Sequence, residues 1–373
     1  MTNDWRNVAK PTVSFLTYDF TITSPPVEPN GCAWYRCWLP MKQLEKAGWE
    51  TGMGFPGWND DHGLGLLVKG DKAIHGWDVI VLKLIMLGSI AEKIDKAKEM
   101  GQKIVVDIDD WFEGLAKSNL AYQMTDPKKN PKNNREHYMH IIENSDAIIT
   151  STPFLYDFYK NTKGHKNVYM VRNGIDINDP NRWKQRNDHS RWLPKFGWVG
   201  ATPWRSNDLE TLAPFFGDFL KNNHLTFHHS GAIKNANEAG DQLKIPKSIK
   251  TTKQPMEKIS NYPSMFRKID VGLVPLNDVK FNHAKSCIKG LEYAAAGVPF
   301  IASWSPEYEL LESQGVGRVA RNENEWMQHM EDLLNPNTRK EDVRRNLEGI
   351  KKYQSMEVRR PEWEEVISQI REQ

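Results

Sequence analysis

The chain has 373 residues with 39% hydrophobic and 26% charged side chains, a composition that excludes disordered and fibrous classes and suggests two globular domains. Its longest apolar run, Val79–Leu87, contains Lys83 and is too short for a transmembrane helix, which needs about 20 apolar residues. The net charge of +2 is uneven, because residues 1–180 hold 21 Lys and Arg against 23 Asp and Glu, whereas residues 181–290 hold 18 against 9. This basic segment indicates contact with the phosphates of a nucleotide, a nucleic acid or a membrane.

The cysteines and the first residues favour a cytoplasmic location. Cys32, Cys37 and Cys287 form no CxxC motif, which predicts reduced thiols and no structural zinc. The opening MTNDWRNVAK has no apolar stretch behind it and does not resemble a signal peptide.

The first half of the chain alternates apolar strands with helical patterns. Strands are predicted at Val13–Phe20, Asp78–Ile85, Lys103–Ile108, Ala147–Thr150 and Val168–Arg172, and helices at Trp34–Ala47, Ile90–Met100 and Arg135–Asn144. Continuous apolar strands separated by helices indicate a parallel sheet with both faces covered.

The second half repeats this alternation. Strands are predicted at Phe196–Gly200, Leu225–His229, Val271–Pro275, Pro299–Ala302 and Gly317–Ala320, and helices at Leu209–Leu220, Met256–Phe266, His283–Ala296, Glu323–Leu334, Arg339–Tyr353 and Pro361–Ile370. Asn173-Gly174 favours a turn, and the polar stretch Asp176–Lys195 is typical of a linker.

We therefore predict an α/β protein of two doubly wound, Rossmann-like domains that face each other across a cleft. The first domain spans 1–175 and the second 176–355, and residues 356–373 form a helix that packs back on the first domain. Ligands of such folds bind at the carboxyl ends of the parallel strands, so motifs that follow strands are the candidates for a binding site.

The segment Lys285–Tyr293 is the first such motif. Lys285, Lys289 and Glu292 share one face of the predicted helix, whose amino end suits a diphosphate, while Glu292 suits ribose hydroxyls. The alternative is a solvated helix face with a Lys289–Glu292 pair.

Three further motifs follow predicted strands. In the loop after Phe196–Gly200, Gly200 permits close approach of a ligand, Arg205 is suited to grip a phosphate, and Asn207 or Asp208 is suited to cap the next helix. Gly31 opens a similar loop in the first domain, with a plain turn as the alternative. His229 is the histidine best placed for a site, because it lies at a strand end beside Ser230-Gly231.

The acidic cluster Asp107, Asp109 and Asp110 ends another strand, where its carboxylates are expected to repel one another. Three uses remain open: ligands of a divalent metal, a base toward an acceptor hydroxyl, or a helix cap. The sequence has neither GxGxxG nor GxxxxGK[ST], so nicotinamide and P-loop functions lose their main support.

These residues together resemble a glycosyltransferase of the GT-B fold, similar to family 4 (glycosyltransferases group 1). The resemblance rests on Asn173–Asp176, on Gly197–Arg205 and above all on Ile269–Leu276 followed by KSCIKGLEYAAAGVPFIAS at Lys285–Ser303. It implies that the second domain binds a nucleotide-activated sugar and that the first holds the acceptor.

The resemblance also implies roles for single residues. Glu292 matches the second glutamate of the family's E-x7-E motif, which holds the ribose, while Ala284 stands where the first is expected. Arg205 resembles the cation that neutralises the diphosphate, and Lys285 replaces a lysine that is missing after it. The predicted catalytic residues are Asp107, Asp109, Asp110, Arg205 and Lys285, and the predicted donor-binding residues are Gly31, Gly200, Thr202, Arg205, His229, Pro275, Asn282, Lys285, Ser286 and Glu292.

The implied reaction is transfer of a hexose or pentose from a nucleoside-diphosphate sugar to an acceptor hydroxyl, with retention and without a metal or other cofactor. The acceptor is a glycan, a protein or a nucleic acid. Arg182, Lys184, Arg186 and Arg191, interleaved with Trp183 and Trp192, suggest DNA as in viral enzymes that modify DNA bases, with a solvated linker as the alternative. A peripheral membrane contact, a sugar-nucleotide epimerase of the same fold and a non-catalytic nucleotide-binding module also remain open.

Overall fold

A computed structural model describes residues 10–21, 28–68, 72–74, 77–126, 128–179, 181–204, 207–234, 236 and 238–373. The chain divides into two units. The first comprises Met1–Asp109, Asp126–Arg172 and Arg359–Gln373, and the second comprises Asp110–Thr125 and Asn173–Val358. Within the described ranges, no helix has the length and apolar character needed to cross a membrane.

The first unit is built on a six-stranded parallel sheet in the order β11-β10-β9-β8-β1-β4. The strands of the whole unit, including those outside this sheet, are β1 (Thr12–Thr17), β2 (Phe20–Thr21), β3 (Glu28–Pro29), β4 (Glu50–Gly54), β5 (Pro56–Asn59), β6 (Gly63–Val68), β7 (Lys72–Ile74), β8 (Val79–Lys83), β9 (Lys103–Ile108), β10 (Ala147–Thr150) and β11 (Val168–Met170). Its α-helices are α1 (Gly31–Ala33), α2 (Leu39–Lys46), α3 (Gly88–Ala91), α4 (Ile94–Glu99), α6 (Asn134–Asn144) and α7 (Pro153–Asp157), with π-helical turns at Trp34–Trp38 and Phe158–Thr162. Strands β5, β6 and β7 form a small antiparallel sheet.

The second unit has its own six-stranded parallel sheet, in the order β14-β13-β12-β15-β16-β17. Its strands are β12 (Lys195–Val199), β13 (Thr226–Ala232), β14 (Thr251–Pro255), β15 (Val271–Val274), β16 (Phe300–Ser303) and β17 (Arg318–Ala320). Its α-helices are α5 (Tyr122–Thr125), α8 (Phe216–Asn222), α9 (Ala239–Gln242), α10 (Lys280–His283), α11 (Ile288–Ala295), α12 (Pro306–Ser313), α13 (Glu323–Asp332) and α14 (Pro336–Tyr353), and the chain ends in α15 (Met356–Glu372). Short 3-10 helices lie at Phe112–Gly114, Thr202–Trp204, Asp208–Leu212 and Tyr262–Phe266.

Each sheet is buried by apolar residues on consecutive strand positions, as parallel sheets covered on both faces require. All residues of β8, β10, β15 and β16 are buried. In the second unit, Phe196 packs edge-on against Phe219 with ring centroids 5.5 Å apart. The predicted α/β class with two Rossmann-like units is confirmed.

The ten predicted strands are all present, but one edge strand of each sheet, β4 and β14, escapes prediction. Residues of β4 are half-buried or exposed, and those of β14 alternate between exposed and half-buried. An edge strand has one open side and needs no continuous apolar run, so the pattern that identifies central strands is missing there.

Four predicted helices are wrong in part: Ile90–Met100 divides into α3 and α4, and proline explains two of the other three. The helix at Leu209–Leu220 divides into a 3-10 turn and α8 around Pro214, and Met256–Phe266 keeps only the 3-10 turn that contains Pro263. The helix at His283–Ala296 divides into α10 and α11, so Lys285 lies in the intervening turn.

Two segments of the chain belong to the unit that is formed mainly by a different part of the sequence. Residues Asp110–Thr125 belong to the second unit, where the backbone N–H of Leu120 donates to the carbonyl of Pro203 over 3.3 Å. Residues Arg359–Gln373 belong to the first unit, where the buried Trp363 packs against Phe15 with ring centroids 6.1 Å apart.

Candidate functional site

The strand order of the second sheet defines where a ligand fits best. From β12 the chain proceeds to β13 and β14 on one side, and from β15 it proceeds to β16 and β17 on the other. Ligands of open α/β sheets bind at the carboxyl ends of the strands where the order reverses, which here are β12 and β15. The loops that leave these two strands carry the predicted residues Gly200, Thr202, Pro275, Asn282, Lys285 and Ser286.

Asp208 joins these two loops. Its Oδ1 accepts hydrogen bonds from the backbone N–H of Asn277 at 3.1 Å and from Nδ2 of Asn282 at 2.7 Å. Its Oδ2 lies 3.4 Å from Nζ of Lys285. The sequence suggests only a capping role for Asp208, but the 3-10 turn that it starts has no side-chain cap. Asp208 is instead the buried carboxylate that holds the loop after β15.

Lys285 is a cation in a partly enclosed position. Its side chain is only 14% exposed, and Nζ lies 4.9 Å from the centre of the Phe281 ring. Because Lys285 precedes α11, it does not share a helix face with Lys289 and Glu292 as the sequence predicts. It lies instead beside the amino end of α11, where backbone N–H groups and the helix dipole favour an anion.

Glu292 lies one turn into α11 and is only 3% exposed. Its Oε2 lies 2.6 Å from Nζ of Lys289 and accepts a hydrogen bond from the Tyr262 hydroxyl at 3.1 Å. The Lys289–Glu292 pair of the alternative interpretation is therefore present, but it is hydrogen-bonded and mostly buried rather than part of a solvated helix face. A buried carboxylate fixed in this way is a well-oriented hydrogen-bond acceptor.

Ser286 and Asn282 complete the polar surroundings of Lys285. The Ser286 hydroxyl accepts a hydrogen bond from Nδ2 of Asn173 at 2.8 Å, which ties the Asn173-Gly174 turn to the start of α11. The buried Asn282 also donates to the carbonyl of Asn277 at 2.9 Å. Ala284, where the resembling family has its first motif glutamate, is buried.

His229, in the neighbouring strand β13, holds the loop after β12 by a hydrogen bond. Its Nε2 lies 3.0 Å from the carbonyl oxygen of Gly200, and burial lowers the pKa of His229, so the neutral ring donates this hydrogen bond. A Cβ on Gly231 would lie 2.6 Å from the same oxygen, so only glycine fits there. Thr202 is buried, whereas Arg205 lies outside the described residues.

Tyr293 connects the helix that carries Glu292 to the sheet. Its buried hydroxyl accepts a hydrogen bond from the backbone N–H of Val199 at 3.0 Å, at the end of β12. A Cβ on Gly272 would lie 2.5 Å from the Tyr293 ring, so this glycine in β15 makes room for the tyrosine. Pro275 follows β15 directly and is buried. These contacts place α11 accurately at the carboxyl ends of β12 and β15.

In the first unit, the predicted site residues lie at or after the carboxyl ends of the parallel strands. Gly31 starts α1 after the loop that leaves β1, and it is exposed. A Cβ added to Gly31 would meet no atom within 4 Å. Close packing therefore does not require glycine at this position.

Asp107 is the centre of a buried ion network rather than an accessible base. Its Oδ2 lies 2.6 Å from Nη2 of Arg36, and its Oδ1 lies 3.1 Å from Nζ of Lys83. Arg36, Lys83 and Asp107 are all 0% exposed, and Arg36 also donates to the carbonyl of Val171 at 2.7 Å. Buried contacts of this kind favour a structural role for Asp107, and its predicted catalytic role stays a prediction.

Asp109 completes this network by pairing with Lys83. Burial alone lowers the pKa of Lys83, but the charges of Asp109 and Asp107 outweigh it and raise that pKa. Burial alone raises the pKa of Asp109, but Lys83 holds it below its ordinary value. The expected repulsion between the carboxylates of Asp107 and Asp109 is thus replaced by attraction to two cations. The third carboxylate of the cluster, Asp110, belongs to the second unit. Among the described residues, no three His, Cys, Asp or Glu side chains form a group suited to a metal ion.

Half of the residues in the predicted surface of alternating cations and aromatic rings are engaged inside the second unit. Arg182 pairs with Asp176 at 3.0 Å, and Arg186 pairs with the buried Asp270. Trp183 is buried and donates to Asp176 at 2.8 Å. These three side chains are used inside the second unit, whereas Lys184, Arg191 and Trp192 are exposed, so contact with DNA stays a prediction.

Solved structures share this fold over most of the chain. Sucrose-phosphate synthase from Thermosynechococcus elongatus is 10% identical, with 97% of this chain and 99% of that chain covered and a TM-score of 0.64. A glycosyltransferase from Rickettsia africae is 10% identical, with the same coverages and a TM-score of 0.59. A UDP-forming α,α-trehalose-phosphate synthase from Burkholderia xenovorans is 14% identical, with 82% and 75% covered and a TM-score of 0.52.

No family model matches the sequence, and comparison with curated proteins gives no significant match. At these low identities, the structural likeness establishes the fold: two Rossmann-like units in one chain, as in glycosyltransferases of the GT-B fold. The predicted resemblance to that fold is confirmed.

Proposed function

We propose that this protein is a glycosyltransferase that moves a sugar from a nucleoside-diphosphate sugar to an acceptor hydroxyl, with retention and without a metal. The observation that carries the proposal is the Asp208–Asn282–Lys285 cluster at the reversal of strand order in the second unit. A fold alone hosts many functions, so the proposal depends on the chemistry of this cluster and of Glu292.

Lys285 stabilises the negative charge that develops on the departing diphosphate. Asp208 holds its ammonium group beside the amino end of α11, so the cation is in place before the donor binds. Preorganised charge of this kind lowers the barrier because little reorganisation is needed in the transition state. Lys285 and the α11 N–H groups supply this stabilisation with residues of the chain itself, and Arg205 adds a second cation.

Glu292 binds the ribose of the donor. Its carboxylate, held by Lys289 and Tyr262, accepts hydrogen bonds from two vicinal hydroxyls, for which a fixed carboxylate is well suited. Asn282 and Ser286 contact the donor between the ribose and the sugar. The donor phosphate takes the proton of the acceptor hydroxyl, so no base from the first unit is needed, which agrees with the engaged state of Asp107.

Release of nucleoside diphosphate from a panel of UDP-, GDP- and ADP-sugars, measured in EDTA, tests the activity. We expect slow hydrolysis of one donor by the wild type and a loss of about 10²-fold or more in Lys285→Ala, because this cation acts on the leaving group. Lys250→Ala is the matched control, since it removes a lysine from the amino end of β14 in the same unit.

The pattern of the results separates the competing functions. Equal turnover in Lys285→Ala and Lys250→Ala would refute the assigned role of Lys285. Turnover that EDTA abolishes and Mg²⁺ restores would refute the metal-free mechanism. Nucleotide binding without turnover of any donor would favour a non-catalytic binding module.

A further inference from the structure

A cavity in the second unit lies at the opposite ends of the strands from the Asp208 cluster. It has a volume of about 410 Å³, within the range of small-molecule sites. It is formed by the segment before β12 and by the first turn of α14, and its lining residues are Asn187–Ser190, Trp192, Asn335–Asn337 and Lys340. Because the segment precedes β12, the cavity lies at the amino ends of the strands.

Trp192 forms one wall and is 81% exposed. A tryptophan this exposed leaves most of its ring in contact with water, where the ring face is available to stack on a ligand. Its backbone is nevertheless anchored, because the buried Arg339 donates to the carbonyls of His189 and Arg191. Lys195, three residues on, donates its backbone N–H to Asp270 at 2.7 Å. The indole therefore projects from a fixed support.

His189 supplies an unsatisfied acceptor. It is 8% exposed, and its Nε2 lies 3.0 Å from the carbonyl oxygen of Arg186 and donates to it. This leaves Nδ1 as a hydrogen-bond acceptor, and Nδ1 is buried without a partner. A buried polar atom without a partner is costly, and His189 lines the cavity, so a ligand hydroxyl that reached Nδ1 would be stabilised by donating a hydrogen bond to it.

The remaining lining residues supply donors and acceptors in one place. Asp188 is an acceptor whose Oδ1 already binds the Ser190 hydroxyl at 2.6 Å, whereas Lys340 and the Asn337 amide are donors. A simple anion is disfavoured by the carboxylate and by the His189 lone pair. Vicinal hydroxyls, which both donate and accept, match this mixture, and the apolar face of a sugar ring matches the indole.

We propose that this cavity is a saccharide-binding subsite, separate from the donor site, in which Trp192 stacks on a sugar unit and His189, Asp188 and Asn337 bind its hydroxyls. It retains an oligosaccharide on the second unit. This inference goes beyond the proposed transfer reaction and does not depend on it, since binding at these ends of the strands requires neither the donor nor Lys285.

Saturation-transfer NMR with maltotetraose, cellotetraose and chitotetraose, followed by calorimetric titration of any oligosaccharide that binds, tests the subsite. We expect one of them to bind with a Kd of about 1 mM or tighter and the affinity to fall at least about tenfold in Trp192→Ala. Asn337→Ala, a second variant at an exposed position, is expected to weaken binding less.

Leu193→Ala is the matched control, because Leu193 is 57% exposed beside Trp192 but does not line the cavity. We expect it to bind the oligosaccharide as the wild type does. Absence of binding by all three probes, or unchanged affinity in Trp192→Ala, would overturn the proposal. The proposal would also be overturned if the wild type bound phosphatidylglycerol vesicles and Trp192→Ala and Leu193→Ala lost this binding equally. That result would identify an apolar membrane contact in place of a saccharide site.

Nucleoside diphosphate binding by the same samples separates this proposal from the proposed function. Trp192→Ala is expected to retain it, because the donor site lies at the other ends of the strands. Oligosaccharide binding that depends on Trp192, in a protein that binds no nucleotide, would refute the proposed function and leave the subsite established.

Discussion

Replacing Asp107 with asparagine distinguishes a structural role for this residue from a catalytic one. The change keeps the size of the side chain but removes the negative charge between Arg36 and Lys83, both 0% exposed. The amide nitrogen of asparagine would also face a cation. Two buried cations would then share the single carboxylate of Asp109, which pairs with Lys83.

The expected loss is about 3–5 kcal/mol, the usual result of removing one partner from a buried ion pair. In a unit of this size, each kcal/mol lowers Tm by about 2–4 °C, so the Tm of the first unit is expected to fall by roughly 6–20 °C. Because two units can unfold separately, a local probe is needed. Hydrogen exchange of peptides that cover β8 and β9 reports on the network directly, and guanidinium denaturation gives the free energy of unfolding.

Asp60→Asn is the matched control, because Asp60 pairs with Lys96 at 3.3 Å but its side chain is 80% exposed. We expect no resolvable change in this variant, since exposed ion pairs contribute little. An Asp107→Asn protein as stable as the control but without turnover would refute the structural assignment and restore a catalytic one.

Two further predictions concern the second unit. Gly272→Ala is expected to lower the free energy of unfolding by about 1–3 kcal/mol in denaturant titrations, since the new Cβ overlaps the Tyr293 ring. The control Gly240→Ala is expected to be tolerated, because the nearest atom to its new Cβ is 4.0 Å away. Equal stability of the two variants would contradict the packing argument. Burial, with the charges of Lys195 and Lys268, lowers the pKa of His228 from 6.5 to about 4. The unfolded chain therefore takes up this proton first as the pH falls, and stability is lost between those two values. His228→Gln is expected to flatten this decline in unfolding titrations across that pH range, and profiles parallel to the wild type would refute the assignment.

The sequence predicts the central strands well because their apolar runs are local signals. It also contains signals that the helix predictions did not use, since Pro214 and Pro263 mark the interruptions of two predicted helices. The edge strands β4 and β14 have no such signal, because their residues are mostly polar or half-buried.

Sequence analysis named Asp208 and Asp107 but missed their contacts, because the partners are distant in the chain. Asp208 contacts Asn282 and Lys285, which are 74 and 77 residues away, and no periodic pattern reports such a contact. Asp107 is paired with Arg36, 71 residues away. One signal for this network was available: Lys83 interrupts an apolar strand, and a buried lysine requires a carboxylate partner.

Calorimetric titration of the wild type with UDP, GDP and ADP, all in EDTA, tests the central claim most directly. The donor site at the carboxyl ends of β12 and β15 predicts saturable binding of one diphosphate, weakened at least about tenfold in both Lys285→Ala and Glu292→Gln and unchanged in Lys250→Ala. Binding of none of them, or binding that neither Lys285→Ala nor Glu292→Gln weakens, would contradict the assignment of this site to a nucleotide-sugar donor.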